Sequence, residues 1–326
     1  MKKKILGLCV TVLFFAFILY KIDLNDVITV IKDFSPTSLL YIILFYVASL
    51  LLRGLRWKLF LASSPKYSWL QLSEIFTIGT MLNIFLPARA GDVYRAYYLG
   101  TVKAEKKLKI FGSVILERLF DGSALFFILL FAVTHYFKNS HLINATVTIA
   151  GSVFIGSLIV AFLLFRTGSV AKIIDRIENF CPENEKIKNL LKKIRVYTLS
   201  FVEGFEVLSS LRASSGAFSY SVAIWVLECV VTFLIINSFG VSFPISASLF
   251  VLSLITFSTM IPSTSIFLGP FQAAYILALG IYGVDKEFAL AISVVHNIIL
   301  TSIVTIIGLF CLLKNNPAIT KNNTNG

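Results

Sequence analysis

Arginines and carboxylates set into apolar sequence are the residues of this chain whose types and spacing could do chemistry. Residues 83–95 read Asn-Ile-Phe-Leu-Pro-Ala-Arg-Ala-Gly-Asp-Val-Tyr-Arg, so an apolar run meets Pro87 and then Arg89 and Arg95 on either side of Asp92. A lone ion in hydrocarbon costs at least ~2.5–3.5 kcal/mol on insertion scales, so such groups persist where they pair, face a wet cavity or meet a charged ligand. A second cluster, Glu117-Arg118-Leu119-Phe120-Asp121, lies just inside the next apolar run. On a helix Glu117 and Asp121 share a face four residues apart, and Arg118 reaches Asp121 at three.

Two acids and a base near a membrane boundary can pair with Arg89 or Arg95, and two readings follow. In one the set is an ion-pair clamp between segments. In the other the acids organise the arginines toward a phosphate, or take up a proton as a cycle turns. Arginine suits a phosphate because its planar fork donates two parallel hydrogen bonds and stays charged when partly desolvated. Pro87 and Gly91 free backbone N–H groups nearby, and a helix starting after them aims its positive end at the same place. A lipid headgroup is the natural occupant of Asn83, Arg89, Asp92, Arg95, Glu117, Arg118 and Asp121. Arg95 at the boundary is alternatively no more than an anchor.

Other polar groups in apolar sequence are isolated. Glu228, mid-run in Trp225-Val226-Leu227-Glu228-Cys229, either lines a cavity or makes a structural hydrogen bond. His296, beside Asn297 in the last run, reads more readily as a packing residue than as a proton relay, and with Glu228 and Gln272 it is a candidate to line a cavity. His135 and His141 are too loosely spaced for a metal, and Cys9, Cys181, Cys229 and Cys311 have no metal-like spacing, so no metal or cofactor is expected and the cysteines read as small apolar thiols. The chain carries no G-x-x-x-x-G-K-[ST] loop, G-x-S-x-G elbow or H-E-x-x-H pair. It reads as a non-enzyme, and any transport is expected to be downhill or ion-coupled unless a partner supplies energy.

The elements that must position these residues are membrane helices. Of 326 residues 57% are hydrophobic and 30 are phenylalanine, against roughly 45–50% apolar content in a soluble domain. Apolar runs lie at about 5–20, 38–52, 69–86, 110–136, 142–165, 215–238, 244–262, 264–282 and 288–313, and a span needs about 20 residues. The expected fold is therefore all-α and polytopic, one membrane domain over 1–326 with about eight transmembrane helices plus one or two re-entrant or broken ones. The opening Met-Lys-Lys-Lys and its apolar run lack a small-x-small cleavage site and read as an uncleaved first span.

The net charge of +12 encodes topology rather than nucleic-acid binding. With the N-terminus inside, only Lys21, Lys32, Lys138 and Lys286 of the 29 Lys and Arg fall outside, which places both termini in the cytoplasm of a cell with this chain in its inner membrane. The excess otherwise meets anionic lipid headgroups. Basic residues on both sides of 69–86 make that run a re-entrant hairpin, with Pro87 and Gly91 as its turn residues and in keeping with Glu74, Gly79, Asn83 and Pro87 within or beside it. A second break is expected around Pro262 and Gly269, and two interrupted segments in corresponding halves would suit an inverted repeat with a site at its interface.

Between Arg166 and Arg212 lies the one long polar stretch, with nine Lys/Arg and six acids. Ile187, Leu190, Leu191, Ile194, Tyr197 and Thr198 recur there at three and four residues, which predicts an amphipathic helix on the inner leaflet, or else a solvated linker open to a cytoplasmic or membrane-enzyme partner. The polar tail, 314–326, is expected to be disordered.

Asn83-x-x-Leu86-Pro87-x-Arg89-x-Gly91-Asp92-x-x-Arg95 followed by Glu117-Arg118-x-x-Asp121 resembles the signature of the lysylphosphatidylglycerol synthase transmembrane-region family of flippase-like proteins, over nearly the whole chain. The resemblance implies a membrane part associated with moving lipid between leaflets, without the aminoacyl transferase domain of the fused members. It also implies that Pro262 and Gly269 retain part of a second motif, while Ser265-Ile266-Phe267 replace its turn, Gln272 stands where a glutamate is expected and His296 near where an arginine is common. The function expected is translocation of a phospholipid, glycolipid or lipid-linked sugar. The competitors are a membrane enzyme acting on a lipid phosphate and a non-catalytic subunit of a lipid or polysaccharide assembly pathway.

Overall fold

The structure, a computed structural model, describes residues 36–61, 67–86, 89–102, 105–136, 141–166, 169–180, 185–240, 242–258 and 270–314. The expected first span, Cys9, Cys181, Pro87, Pro262, Gly269 and the tail from 315 onward lie outside them. Among the described residues there is no strand, and the fold is all-α as the apolar runs require.

Eleven α-helices follow in order among the described residues: α1 (Pro36–Phe60), α2 (Trp69–Phe85), α3 (Ala90–Val102), α4 (Lys107–Tyr136), α5 (His141–Arg166), α6 (Ser169–Phe180), α7 (Glu185–Val202), α8 (Leu211–Asn237), α9 (Ile245–Ser258), α10 (Pro270–Gly280) and α11 (Lys286–Lys314), with a 3₁₀ segment at Glu203–Ser209 between α7 and α8. Three of them, over Thr37–Phe60, Leu211–Asn237 and Lys286–Lys314, are long and apolar enough to cross a membrane by length and composition. At 1.5 Å per residue α9 and α10 reach only about 21 and 17 Å, short of a hydrocarbon core of about 30 Å. They flank 259–269, where the second break was expected.

The chain forms two compact units, one of residues 1–50, 74–91 and 226–326 and the other of 51–73 and 92–225. In the first, the return of the chain after α2 is set by glycine. A Cβ on Gly91 would collide with the carbonyl of Gly79 and crowd the Asn83 side chain, so the first turn of α3 lies directly on the last turns of α2. Residues 69–85 form one unbroken helix, so that run holds no turn of its own; of the expected turn residues Gly91 lies in the first turn of α3 and Pro87 outside the described residues. Gly79 does not break α2 but opens room for the backbone at Gly91. Arg89 holds a left-handed φ of 52°. At the end of α8, Asn237 donates from Nδ2 to the Phe233 carbonyl and accepts from the Phe243 N–H at Oδ1, closing the turn into α9.

The second unit is also assembled by close backbone approaches. Ser73 Oγ donates to the Leu51 carbonyl at 3.2 Å, against Gly54, where no larger residue fits. A Cβ on Gly112 of α4 would strike the Phe201 carbonyl, and Gly204 lies on the backbone of Lys109 and Ser113. Phe60 and Phe120 meet edge to face with centroids 5.3 Å apart, and Trp57 Nε1 donates to Ser113 Oγ at 3.1 Å. The polar stretch forms two helices, α6 and α7; the predicted 187–198 stripe lies in α7.

Candidate functional site

Seven charged residues of the second unit, on α1, α3 and α4, meet beside Ser221 and Trp225 of α8. Arg53 and Arg56 are three apart on α1, Asp92 and Arg95 three apart on α3, Glu117, Arg118 and Asp121 within one turn of α4, and Ser221 and Trp225 four apart on α8. Each pair therefore projects from one helix face, and the helices bring those faces together.

The result is an alternating chain of seven ions. Arg53 Nη1 is 3.8 Å from Asp121 Oδ2. Asp121 takes a bidentate grip from Arg56, through Oδ1 from Nη1 and through Oδ2 at 3.1 Å from Nη2. Arg56 Nη2 also donates to Glu117 Oε1 at 2.7 Å, and Glu117 Oε2 accepts from Arg95 Nη1 at 3.2 Å. Arg95 Nη2 donates to Asp92 Oδ1 at 3.2 Å, and Asp92 ends the series by accepting from Arg118 Nη2 at 2.9 Å. Every carboxylate is thus shared between two guanidiniums, and a guanidinium stands at each end.

Neutral partners complete the packing. Arg56 Nη1 donates to Ser221 Oγ at 2.7 Å and Trp225 Nε1 to Asp121 Oδ1 at 3.1 Å. Arg53 lies over the Trp225 ring at 5.1 Å and Arg95 over Trp57 at 5.0 Å, where the ring faces attract the cations. Arg56 and Glu117 are fully buried, while the Arg118 side chain is 28% exposed. The series is buried through its middle and partly exposed at Arg118; Nε of Arg118, like that of Arg56, is a buried donor with no acceptor among the described residues.

Asp92, Arg95, Glu117, Arg118 and Asp121, singled out in the sequence, are therefore brought together. Asn83 and Arg89 belong to the first unit, both half-buried, and the seven-ion series is complete without them. In the first unit Glu228 is buried and accepts from Ser49 Oγ at 2.8 Å. Gln272 is buried on α10, and His296, buried on α11, bonds through Nδ1 to the Tyr275 hydroxyl with Phe271 edge-on at 5.6 Å. Cys229 and Cys311 are buried and outside any disulfide. Among the basic residues that precede 69–86, Arg53 and Arg56 count in the sequence as topology markers and not as site residues, although Arg-Gly-Leu-Arg-Trp closing an apolar run carries the same signal as Arg89 or Arg95. Trp57, Ser221 and Trp225 carried none that separates them from ordinary helix residues.

The family model described as the lysylphosphatidylglycerol synthase TM region matches residues 4–308. The UPF0104 membrane protein MJ1595 of Methanocaldococcus jannaschii is 24% identical over 331 residues, covering 95% of this chain and 94% of that protein. A second protein of that organism, UPF0104 membrane protein MJ1078, is 26% identical over 218 residues, 67% of this chain and 87% of its own. Glycosyltransferase AglD of Haloferax volcanii is 26% identical over 352 residues, 96% of this chain but 54% of that protein, so the chain spans about half of AglD. No solved structure matches. The family match and the three membrane-length helices make the chain an integral, helical membrane protein.

Proposed function

We propose that this chain, which belongs to the lysylphosphatidylglycerol synthase TM region family, moves a lipid or lipid-linked sugar between leaflets and receives its phosphate at the Arg118 end of the ion series. The observation that carries this reading is the contrast in exposure along the series: Arg56, Glu117, Asp121 and Arg95 are buried, while the Arg118 side chain at its end is 28% exposed. A guanidinium already oriented by a carboxylate has lost its rotamer freedom before a ligand arrives, and it can still offer its fork to a phosphate oxygen. Holding the headgroup at fixed dipoles and charges while the acyl or prenyl tails stay in lipid lowers the barrier that hydrocarbon presents to it. We place both termini in the cytoplasm and the site at the cytoplasmic side of an inner membrane, because the basic residues gather there.

The likeness to half of AglD, a protein named as a glycosyltransferase, favours a second reading in which the membrane part serves a sugar-transferring partner as a non-catalytic subunit. Reconstitution decides between them. Purified protein in liposomes is assayed for movement of labelled phospholipids and of a lipid-linked sugar, with Arg118→Gln alongside. Transport by the native chain that falls at least tenfold in Arg118→Gln, with unchanged thermal unfolding, is the expected outcome. Native protein that is folded and moves none of these lipids refutes the translocase reading and favours the subunit; transport untouched by Arg118→Gln refutes the site.

A further inference from the structure

We infer that α6 and α7 dock on the anionic surface of the bilayer that holds the chain, through a stripe of isoleucine, leucine and tyrosine flanked by basic residues that reach lipid phosphates. Ile173 and Ile177 of α6 and Leu190, Ile194 and Tyr197 of α7 are exposed, Leu190 and Tyr197 at 57%. A solvated linker would turn polar side chains outward on every face, and these helices do not. The two share one pattern: an apolar pair four residues apart with a cation at the third position, Ile173-Arg176-Ile177 and Leu190-Lys193-Ile194, with Arg176 and Lys193 both exposed. Residues three and four apart are neighbours on a helix surface, so each cation rims its apolar pair, and a long side chain there can carry its charge to a headgroup while its stem lies on apolar surface.

Two further observations favour a lipid surface over a protein partner. Over 169–202 the chain has seven Lys/Arg and four acids, a one-signed surplus that complements an anionic leaflet, where each added cation strengthens attachment. The C-terminal end of α7 is also fixed at headgroup depth. Phe201 and Gly204 lie on the backbone of Gly112, Lys109 and Ser113 at the start of α4, and Lys106 and Lys109 pair with Glu203 and Glu206 at 2.8 and 3.1 Å. Lys106, Lys107 and Lys109 form the basic boundary of α4, the place where headgroups begin. A helix pinned there, with an exposed apolar stripe, lies in the plane of the interface.

The test uses the full chain in liposomes, with Cys9, Cys181, Cys229 and Cys311 replaced and one thiol introduced at Leu190→Cys for an environment-sensitive dye. Lys192→Cys, two residues on and so on the opposite helix face, is the reference. Expected is a blue-shifted emission protected from iodide at position 190, absent at 192, that grows as phosphatidylglycerol replaces phosphatidylcholine. Arg176→Gln with Lys193→Gln should abolish that dependence on phosphatidylglycerol without changing the thermal transition of the protein. A water-like signal at 190 in every lipid overturns the proposal. So does a shift at 190 already present in detergent, which would place the stripe against protein, or one that grows with protein density instead of anionic lipid, which would assign it to a second copy.

Discussion

Glu117→Gln should be among the most damaging single changes the second unit can carry. Glu117 is fully buried between Arg56 at 2.7 Å and Arg95 at 3.2 Å. Glutamine keeps the shape but presents an N–H donor to one of two guanidiniums that need an acceptor, and it withdraws the charge that both share. Breaking a buried pair by removing one partner costs about 3–5 kcal/mol, because the remaining charge is left uncompensated. The reference state moderates this, since an α4 detached from its neighbours but still in lipid carries its own insertion cost of about 2.5–3.5 kcal/mol for such a group. A net loss near 3 kcal/mol, about two decades in the unfolding equilibrium, is therefore expected. Lys106→Gln is the internal control: Lys106 and Glu203 are as close, at 2.8 Å, but their side chains are 59% and 44% exposed, and exposed pairs contribute about 0–1 kcal/mol. Unfolding in mixed micelles by a denaturing detergent, followed by tryptophan emission, reads both variants. The reasoning fails if Glu117→Gln costs no more than Lys106→Gln, because the interior of the ion series would then be as well solvated as the surface.

Gly91→Ala should destabilise by about 1–3 kcal/mol, the usual cost of overpacking, since its Cβ meets backbone at Gly79; Gly156→Ala, which meets nothing within 4 Å, should stay within about 0.5 kcal/mol, and micelle unfolding compares them directly. Tyr275→Phe removes the partner of His296 in a fully buried pair and should cost about 1–3 kcal/mol, seen as a lower thermal midpoint.

Legibility in the sequence followed one physical rule and stopped where that rule does. Charge in apolar sequence identified Asp92, Arg95, Glu117, Arg118 and Asp121, because an unpaired ion in hydrocarbon is costly whatever the fold. The same rule covered Arg53 and Arg56, but a cation at the end of an apolar run also marks the inner boundary, and the two roles look alike until the partners are known. Those partners lie 61 and 65 residues away for Arg56, a separation no local pattern encodes. The use of Gly79 was hidden for a related reason. Inside α2 it reads as a helix breaker alone, whereas its use is to admit Gly91, which only the packed pair reveals.

On the proposed function, the clamp reading and the headgroup reading, left open by the sequence, divide along the ion series rather than compete for all of it. Arg56 spends both terminal nitrogens on Glu117, Asp121 and Ser221, and Glu117 spends both oxygens on Arg56 and Arg95. Groups so committed would have to break buried charge-assisted bonds to meet a ligand, a loss no single phosphate contact recovers. They therefore act as a frame tying α1, α3, α4 and α8. Arg118 is held by Asp92 and is 28% exposed, so a ligand there need not break the bonds between Arg56, Glu117 and Asp121. The variants should then sort by position: loss of Arg56 or Glu117 appears as loss of folded protein, and loss of Arg118 as loss of transport from protein that remains folded. A series in which all three lose folding in parallel would reduce the cluster to a clamp.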